Sequence, residues 1–288
     1  MQSQDVLRLY EEGYRDFRGL SLVGADFSSR ILVGVNFADT DLSGANFSRT
    51  FLTKANFAGA SLNRANLKFS KLSDACFRTA VMTKANLQGA FGVRADFSQA
   101  SVSGALLAHI NLRAANLAGA NFASANLAGA NLRNARLTEG NFAWSNLSGV
   151  RLIGGAIAQT YFTGVNFEGA FLNGLNFSGM DLSGISFRGA RIKGATFRGA
   201  NLTAADFSEA SLQNSDFQCA HLAGANFDHA QLHRAKFFRA DLRRIEMTDV
   251  DWSDADLTGA FFGEDSWRAS NNVSQRPHEM HSATVTSR

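Results

Sequence analysis

The sequence predicts an all-β solenoid, a chain wound into short stacked coils and closed at its N-terminal end by one short α-helix. Three observations predict it. A large apolar residue returns at every fifth position from Phe17 to Phe262. A very small residue stands two places before most of these centres, and glycine stands two places after many of them. Proline is absent from all of these units, and Pro277, the one proline in 288 residues, lies beyond them.

The period is strict. Of the 50 positions reached by steps of five from Phe17 to Phe262, 24 are Leu and 19 are Phe. Met82, Val102, Ile157, Ile192, Met247 and Trp252 fill six more, and Gly92 is the exception. Ala holds 30 of the places two before a centre, and Asn or Asp holds 26 of the places one before. Most of the 26 glycines fall two after a centre, as Gly24, Gly34 and Gly44 do. The unit reads A-(N/D)-(L/F)-x-G.

Neither ordinary period fits, since a helix needs apolar spacing of 3.6 and a strand needs 2. A period of five with one large and one tiny inward residue describes a short side followed by a corner. Glycine suits a corner that needs an unusual φ. Asn and Asp suit turns because their side chains bond nearby backbone. Proline would remove an N–H that pairs with the neighbouring coil. Phe alternates with Leu from Phe17 to Leu62 and, in the same phase, from Phe167 to Leu242, with Ile192 in one Leu place. An even number of sides stacks Phe over Phe. Two sides enclose nothing, so four is the simplest number.

This repeat resembles that of the pentapeptide-repeat proteins. The resemblance covers residues 15–264 or so and implies a right-handed quadrilateral parallel β-helix. Fifty units at four to a coil would make about 12 coils, a rod of about 60 Å at ~4.8 Å per coil. The expected organisation is an N-terminal helical cap over 1–14, a repeat β-helix with its C-terminal cap over 15–267, and a polar disordered tail over 268–288.

The caps follow from local signals. A helix is expected over Ser3 to Glu12, with Ser3 as N-cap and Gly13 just past the end. Val6, Leu9, Tyr10 and Tyr14 make its apolar face. Leu7, Arg8, Tyr10, Gly13, Arg15, Phe17 and Leu22 resemble the start of cyanobacterial members of the family, among them a regulator that suppresses heterocyst differentiation. At the other end stand Trp252, Phe261, Phe262 and Trp267. One reading is a C-terminal plug. The other is an apolar end that forms a homodimer, as the resemblance to gyrase-protecting members implies.

Two places depart from the repeat. Gly92 leaves a centre empty, which predicts a bulge or kink. Between 140 and 165 the alanine places hold Gly140, Ser145, Val150, Gly155, Thr160 and Val165. The larger residues there should force the coil outward, and Gly154 with Gly155 should soften it.

No catalytic constellation emerges. His221, His229 and His233 fall on three different faces, His109 and His229 share a face but stand six coils apart, and His278 and His281 lie in the tail. Acid–base or metal work needs side chains within bonding reach. Cys76 and Cys219 would lie seven coils apart, beyond disulfide reach. The recurring Asp residues read as turn residues. No phosphate-loop, nucleophile-elbow or zinc-helix motif is present. No enzyme activity, cofactor, metal or small-molecule substrate is expected. The N-terminus shows no apolar secretory core and no run is long enough for a membrane span, which makes the cytoplasm the default compartment.

Function should then lie on outward positions. In coils of 20, one face carries Ile31, Phe51, Lys71, Phe91, Arg151 and Phe171 in the place of Asn or Asp. Val33, Val93 and Ile153 lie two residues on, and Lys54, Arg94, Arg113 and Arg133 interleave. Exposed aromatics with arginine favour a protein partner. The leading expectation is a rigid, non-catalytic protein-binding scaffold of regulatory type. The alternative is a mimic of duplex DNA that protects DNA gyrase or topoisomerase IV, as the family resemblance also implies. A mimic needs an acidic surface, whereas this chain has 28 Lys+Arg against 25 Asp+Glu. That mild surplus gives equally little reason to expect direct nucleic-acid binding.

Overall fold

The structure, a computed structural model, describes residues 1–263. They form one helix, α1 (Ser3–Glu11), followed by a succession of five-residue turns. The expected tail and Trp267 lie outside the described residues.

The pentad's hydrogen bonds explain its composition. The five positions, first to fifth, are illustrated by Ala45, Asn46, Phe47, Ser48 and Arg49. The first N–H closes a turn onto the preceding centre (Ala45 to Leu42 O, 2.9 Å). The second donates to the previous coil (Asn46 to Ala25 O, 2.9 Å), and the third and fifth donate to the next (Phe47 to Asn66 O, 2.6 Å; Arg49 to Lys68 O, 2.9 Å). The fourth finds the side chain of the second: Ser48 N–H donates to Asn46 Oδ1 at 3.1 Å. In this pentad every backbone donor is paired. A proline would break this set at four of five positions.

Second residues pair in parallel with residues 20 further on, as in Asp16–Asn36 and Asn36–Asn56. One coil is therefore four pentads. Asparagines add their own ladder, Asn56 Nδ2 donating to Asn36 Oδ1 at 3.0 Å and Asn66 to Asn46 at 3.1 Å. From Gly19 to Gly259 every fifth position has φ between +50° and +73°. Together with the bond from the first N–H of the next pentad, this is a turn of type II character. The sequence signal for this corner is glycine, yet Phe69 and Trp144 adopt it too, at 59° and 60°.

Two compact units are present, Met1–Asn166 and Phe167–Arg288. In the first, the ladder runs from Asp16–Asn36 to Asn146–Asn166; in the second, from Phe171–Arg191 to Asp241–Phe261. Centres and alanines fill the core of each. In the second unit, Phe rings 20 apart stack at 4.9–5.4 Å and within 10° of parallel. Rings 10 apart, on opposite sides of the coil, meet edge to face, as Phe207 meets Phe217 at 5.7 Å and 86°. Both geometries suit the ring quadrupole. The first unit starts with the same two columns. Its Phe column then changes sides between Phe97 and Phe122, whose rings sit tilted at 6.5 Å.

The cap differs in detail from expectation. Gln2, not Ser3, is the N-cap, and Asp5 accepts its N–H at 3.0 Å. The helix ends in a Schellman pair, Gly13 N–H to Tyr10 O and Tyr14 N–H to Leu9 O, with Gly13 at φ +100°. Val6 is buried and Tyr10 donates to Val33 O at 3.0 Å, anchoring α1 on the first coil. Tyr14 is exposed and takes no part in the apolar face.

Gly92 makes no bulge. Its N–H bonds Asn111 O at 2.8 Å, and Leu112 Cδ2 lies 3.1 Å from where a Cβ would stand. The next coil's leucine thus fills the empty place. The 140–165 stretch keeps its ladder to the previous coil, with bonds of 2.9–3.2 Å at Arg151, Ala156, Tyr161 and Asn166. Val150 and Val165 are buried without forcing the coil outward. The Leu137 carbonyl accepts the Gly140 N–H at 2.9 Å and also the hydroxyl of Thr160, one coil on, at 2.9 Å.

Four of the six buried hydroxyls in the alanine place make the same bond, while Ser70 donates to Leu67 O at 2.7 Å. Thr40, Thr50, Thr160 and Ser215 each donate to the carbonyl 23 residues earlier at 2.8–2.9 Å. The Ser145 hydroxyl is buried without a partner. Ser145→Ala is therefore expected to raise the urea midpoint, while Thr40→Val, which orphans the Phe17 carbonyl, should cost about 1–3 kcal/mol. Acid offers a second test. Hydrogen bonds from the Ser43 hydroxyl and N–H hold the Asp41 carboxyl below its ordinary value. A depressed folded pKa stabilises above the unfolded value, and this is lost as pH falls through the folded one. Asp41→Asn keeps the acceptor, so its melting temperature should fall less than the parent's below about pH 4.

Candidate binding face

Within each unit the outward second positions form columns, because the ladder joins every twentieth residue. The predicted face is one of them. In the first unit Ile31, Phe51, Lys71, Phe91, Asn111, Asn131 and Arg151 pair in succession. In the second, Phe171 pairs with Arg191, whose guanidinium carbon lies 4.8 Å from the Phe171 ring centre. Ile31 is exposed, as are Phe51 at 47% and Phe91 at 40%. Lys71 Nζ stands 5.5 Å from the Phe91 ring centre, within cation–π range.

The flanking residues divide. Val33, in the first coil, is 41% exposed, but Val93 is only 6% exposed and is no part of the surface. Val93 has ladder-bonded coils on both sides, whereas Val33 has a coil on one side only. Ile153 is half-buried. At the corner, Arg94 clasps Asp74 with two bonds of 2.7 and 2.8 Å, which hold the Asp74 carboxyl below its ordinary value, and Lys54 adds to that field. Arg113 and Arg133 stand on successive coils and are exposed, and no side-chain partner is recorded for either guanidinium.

Trp252 is half-buried, its ring 5.4 Å from Phe237. Phe262 is half-buried, and Phe261 is exposed beneath Arg243, 5.4 Å from its ring centre. Among the described histidines, His229 faces Asp249 at 3.8 Å and His233 bonds Ser253 at 2.9 Å. Among the described residues no three His, Cys, Asp or Glu side chains gather where a metal could bind, and both cysteines are free. No described helix is long and apolar enough to cross a membrane.

Three exposed aromatics, Phe69, Trp144 and Tyr161, escaped the sequence reading. Trp144 occupies a glycine place and lies flat over Gly164 of the next coil; Tyr161 occupies an asparagine place beside a shallow hollow lined by Asn121, Glu139, Asn141 and Thr163. Phe69 over Gly89 and His109 over Gly129 repeat the Trp144 arrangement. The signal available was a bulky residue at a fifth position followed, 20 residues on, by glycine.

Sequence models of known families settle what this repeat is. The model described as pentapeptide repeats (8 copies) matches residues 21–59, 60–91, 93–122, 115–154 and 160–199, and the pentapeptide repeat region model matches 190–267. The chain belongs to the pentapeptide-repeat family. Solved structures similar to this pentapeptide-repeat chain include HetL, described as involved in heterocyst differentiation regulation, from the cyanobacterium Nostoc sp. Strain PCC 7120, at 24% identity over 92% of this chain and 98% of that one, with a TM-score of 0.36. The plasmid-mediated fluoroquinolone resistance protein QnrB1 is 18% identical over 86% of this chain and 92% of its own, also at 0.36. Rfr23 from the cyanobacterium Cyanothece 51142 is 21% identical over 57% and 92%, at 0.26. No functionally curated protein matches the chain.

The contact between Trp144 and Gly164 is open to test. A Cβ at Gly164 would enter the indole, and its φ of +65° already disfavours a side chain. Gly164→Ala should cost about 1–2 kcal/mol and shift the tryptophan emission of the folded protein.

Proposed function

We propose that this pentapeptide-repeat chain is a non-catalytic, regulatory scaffold, wound as a right-handed quadrilateral β-helix, that binds another protein through the column from Ile31 to Arg151 and its flanking cations. The observation that carries this reading is the replacement of the turn-forming Asn or Asp by Ile31, Phe51, Lys71 and Phe91 on four successive coils. Each replacement gives up a side-chain acceptor that the fold otherwise uses, and each puts apolar or cationic surface in its place. Aromatic and arginine side chains are those on which protein interfaces concentrate their binding energy. Phe171 with Arg191 continues the same chemistry in the second unit.

The face is cationic, the wrong sign for a mimic of DNA. In a supercoiling assay with DNA gyrase and a fluoroquinolone, the protein is expected to change neither the enzyme nor the drug's effect. The scaffold reading is tested by Phe51→Ser combined with Phe91→Ser. Both side chains are outward, so the melting temperature should hold while capture of the partner from host lysate is lost. Undiminished capture would overturn the reading.

A further inference from the structure

The same column carries an unmet set of backbone donors. In pentads whose second residue is Asn or Asp, the fourth N–H turns to that side-chain oxygen, as Ala38, Ser43, Ser48 and Ala58 do at 3.0–3.1 Å. Where Ile31, Phe51, Lys71 and Phe91 replace that residue, no acceptor for the N–H of Val33, Thr53, Ser73 or Val93 is recorded. No other column of the first unit lacks Asn or Asp on four successive coils. Val33 is exposed and Thr53 and Ser73 are half-buried, so an acceptor of a partner can replace water at these three N–H groups, whereas Val93 is buried and stands outside the set.

Charge points the same way. At the neighbouring corner the signs alternate, Lys54, Asp74, Arg94, with Asp74 paired to Arg94. Beside it, Arg113 and Arg133 repeat one sign on adjacent coils with no recorded carboxylate, an arrangement that costs stability unless an anion lies across it. Lys71 rests on Phe91 and adds a further positive charge.

We infer that this face of the first unit binds an extended acidic segment of a partner protein. Acceptors of the segment meet the N–H groups of Val33, Thr53 and Ser73. Its carboxylates meet Lys71, Arg113 and Arg133, and its apolar side chains rest on Phe51 and Phe91. From Val33 to Arg133 is five coil rises, about 24 Å, which an extended chain spans with about seven residues. The inference rests on the scaffold reading and specifies its partner.

The test uses the full chain and a fluorescein-labelled ten-residue peptide of Asp, Glu and Leu, with a Lys-for-acid counterpart and a ten-nucleotide oligothymidine as the other probes. Only the acidic peptide should bind, and salt should weaken it. Arg113→Glu with Arg133→Glu should weaken it about tenfold or more. Thr53→Pro with Ser73→Pro gives the sharper test. The fourth position follows the centre in a type II turn, where proline fits, and its N–H is not part of the ladder. These variants should keep the parent melting temperature and still lose binding. Indifference of peptide binding to both pairs, or equal binding of oligothymidine, would sink the inference. If partner capture is lost with Phe51→Ser and Phe91→Ser but survives the arginine and proline variants, the scaffold reading stands and the acidic segment falls.

Discussion

A coil of four pentads closes only if backbone donors are satisfied at the turns as well as along the ladder. Three of every five N–H groups join neighbouring coils, one closes the turn, and one is taken by the outward Asn or Asp of its own pentad. Burying a donor unpaired would cost about as much as a hydrogen bond is worth. From this one constraint come the absence of proline, the preference for Asn and Asp, and the positive φ at every fifth position. The apolar core needs only that one large and one tiny residue face inward.

This explains why the fold was readable. The period of five is a direct image of the pentad, and the Phe–Leu alternation is an image of the four-pentad coil, since opposite sides meet at the axis as Phe187 and Phe197 do at 6.0 Å and 81°. What could not be read was compensation between coils. Gly92 looks like a hole in the sequence, but the space belongs jointly to Leu72 and Leu112, 20 residues either way. Thr160 looks too large for its place, but its hydroxyl bonds the Leu137 carbonyl of the previous coil at 2.9 Å. The ladder pairs positions 20 apart, so a residue's fit is decided by partners a local window never includes.

The same holds for the candidate face. Its column could be assembled by stepping 20 residues, and the ladder brings Ile31, Phe51, Lys71 and Phe91 together as expected. The covering of Val93 and the exposure of Val33 follow from coil position, which the repeat alone does not weight. The row of donors at Val33, Thr53 and Ser73 is invisible to residue type, because it consists of backbone whose usual partner is missing. Trp144 was overlooked for a related reason: the glycine place reads as a corner, while the structure shows that a bulky corner is accepted when the next coil supplies glycine beneath it.

The second position is where such a fold can change its surface at least cost. It contributes its backbone to the ladder whatever its side chain, so Phe51 bonds Arg30 at 2.9 Å as readily as Asn56 bonds Val35 at 2.8 Å. Replacing Asn there sacrifices one capped N–H and, where a neighbour was also Asn, one amide contact between coils. Neither loss breaks a coil. Both leave something a partner can use, an outward donor and an outward side chain in fixed register with the next coil. Recognition can therefore be assembled one coil at a time on a core that does not change, and the run from Ile31 to Phe91 carries four such substitutions in succession.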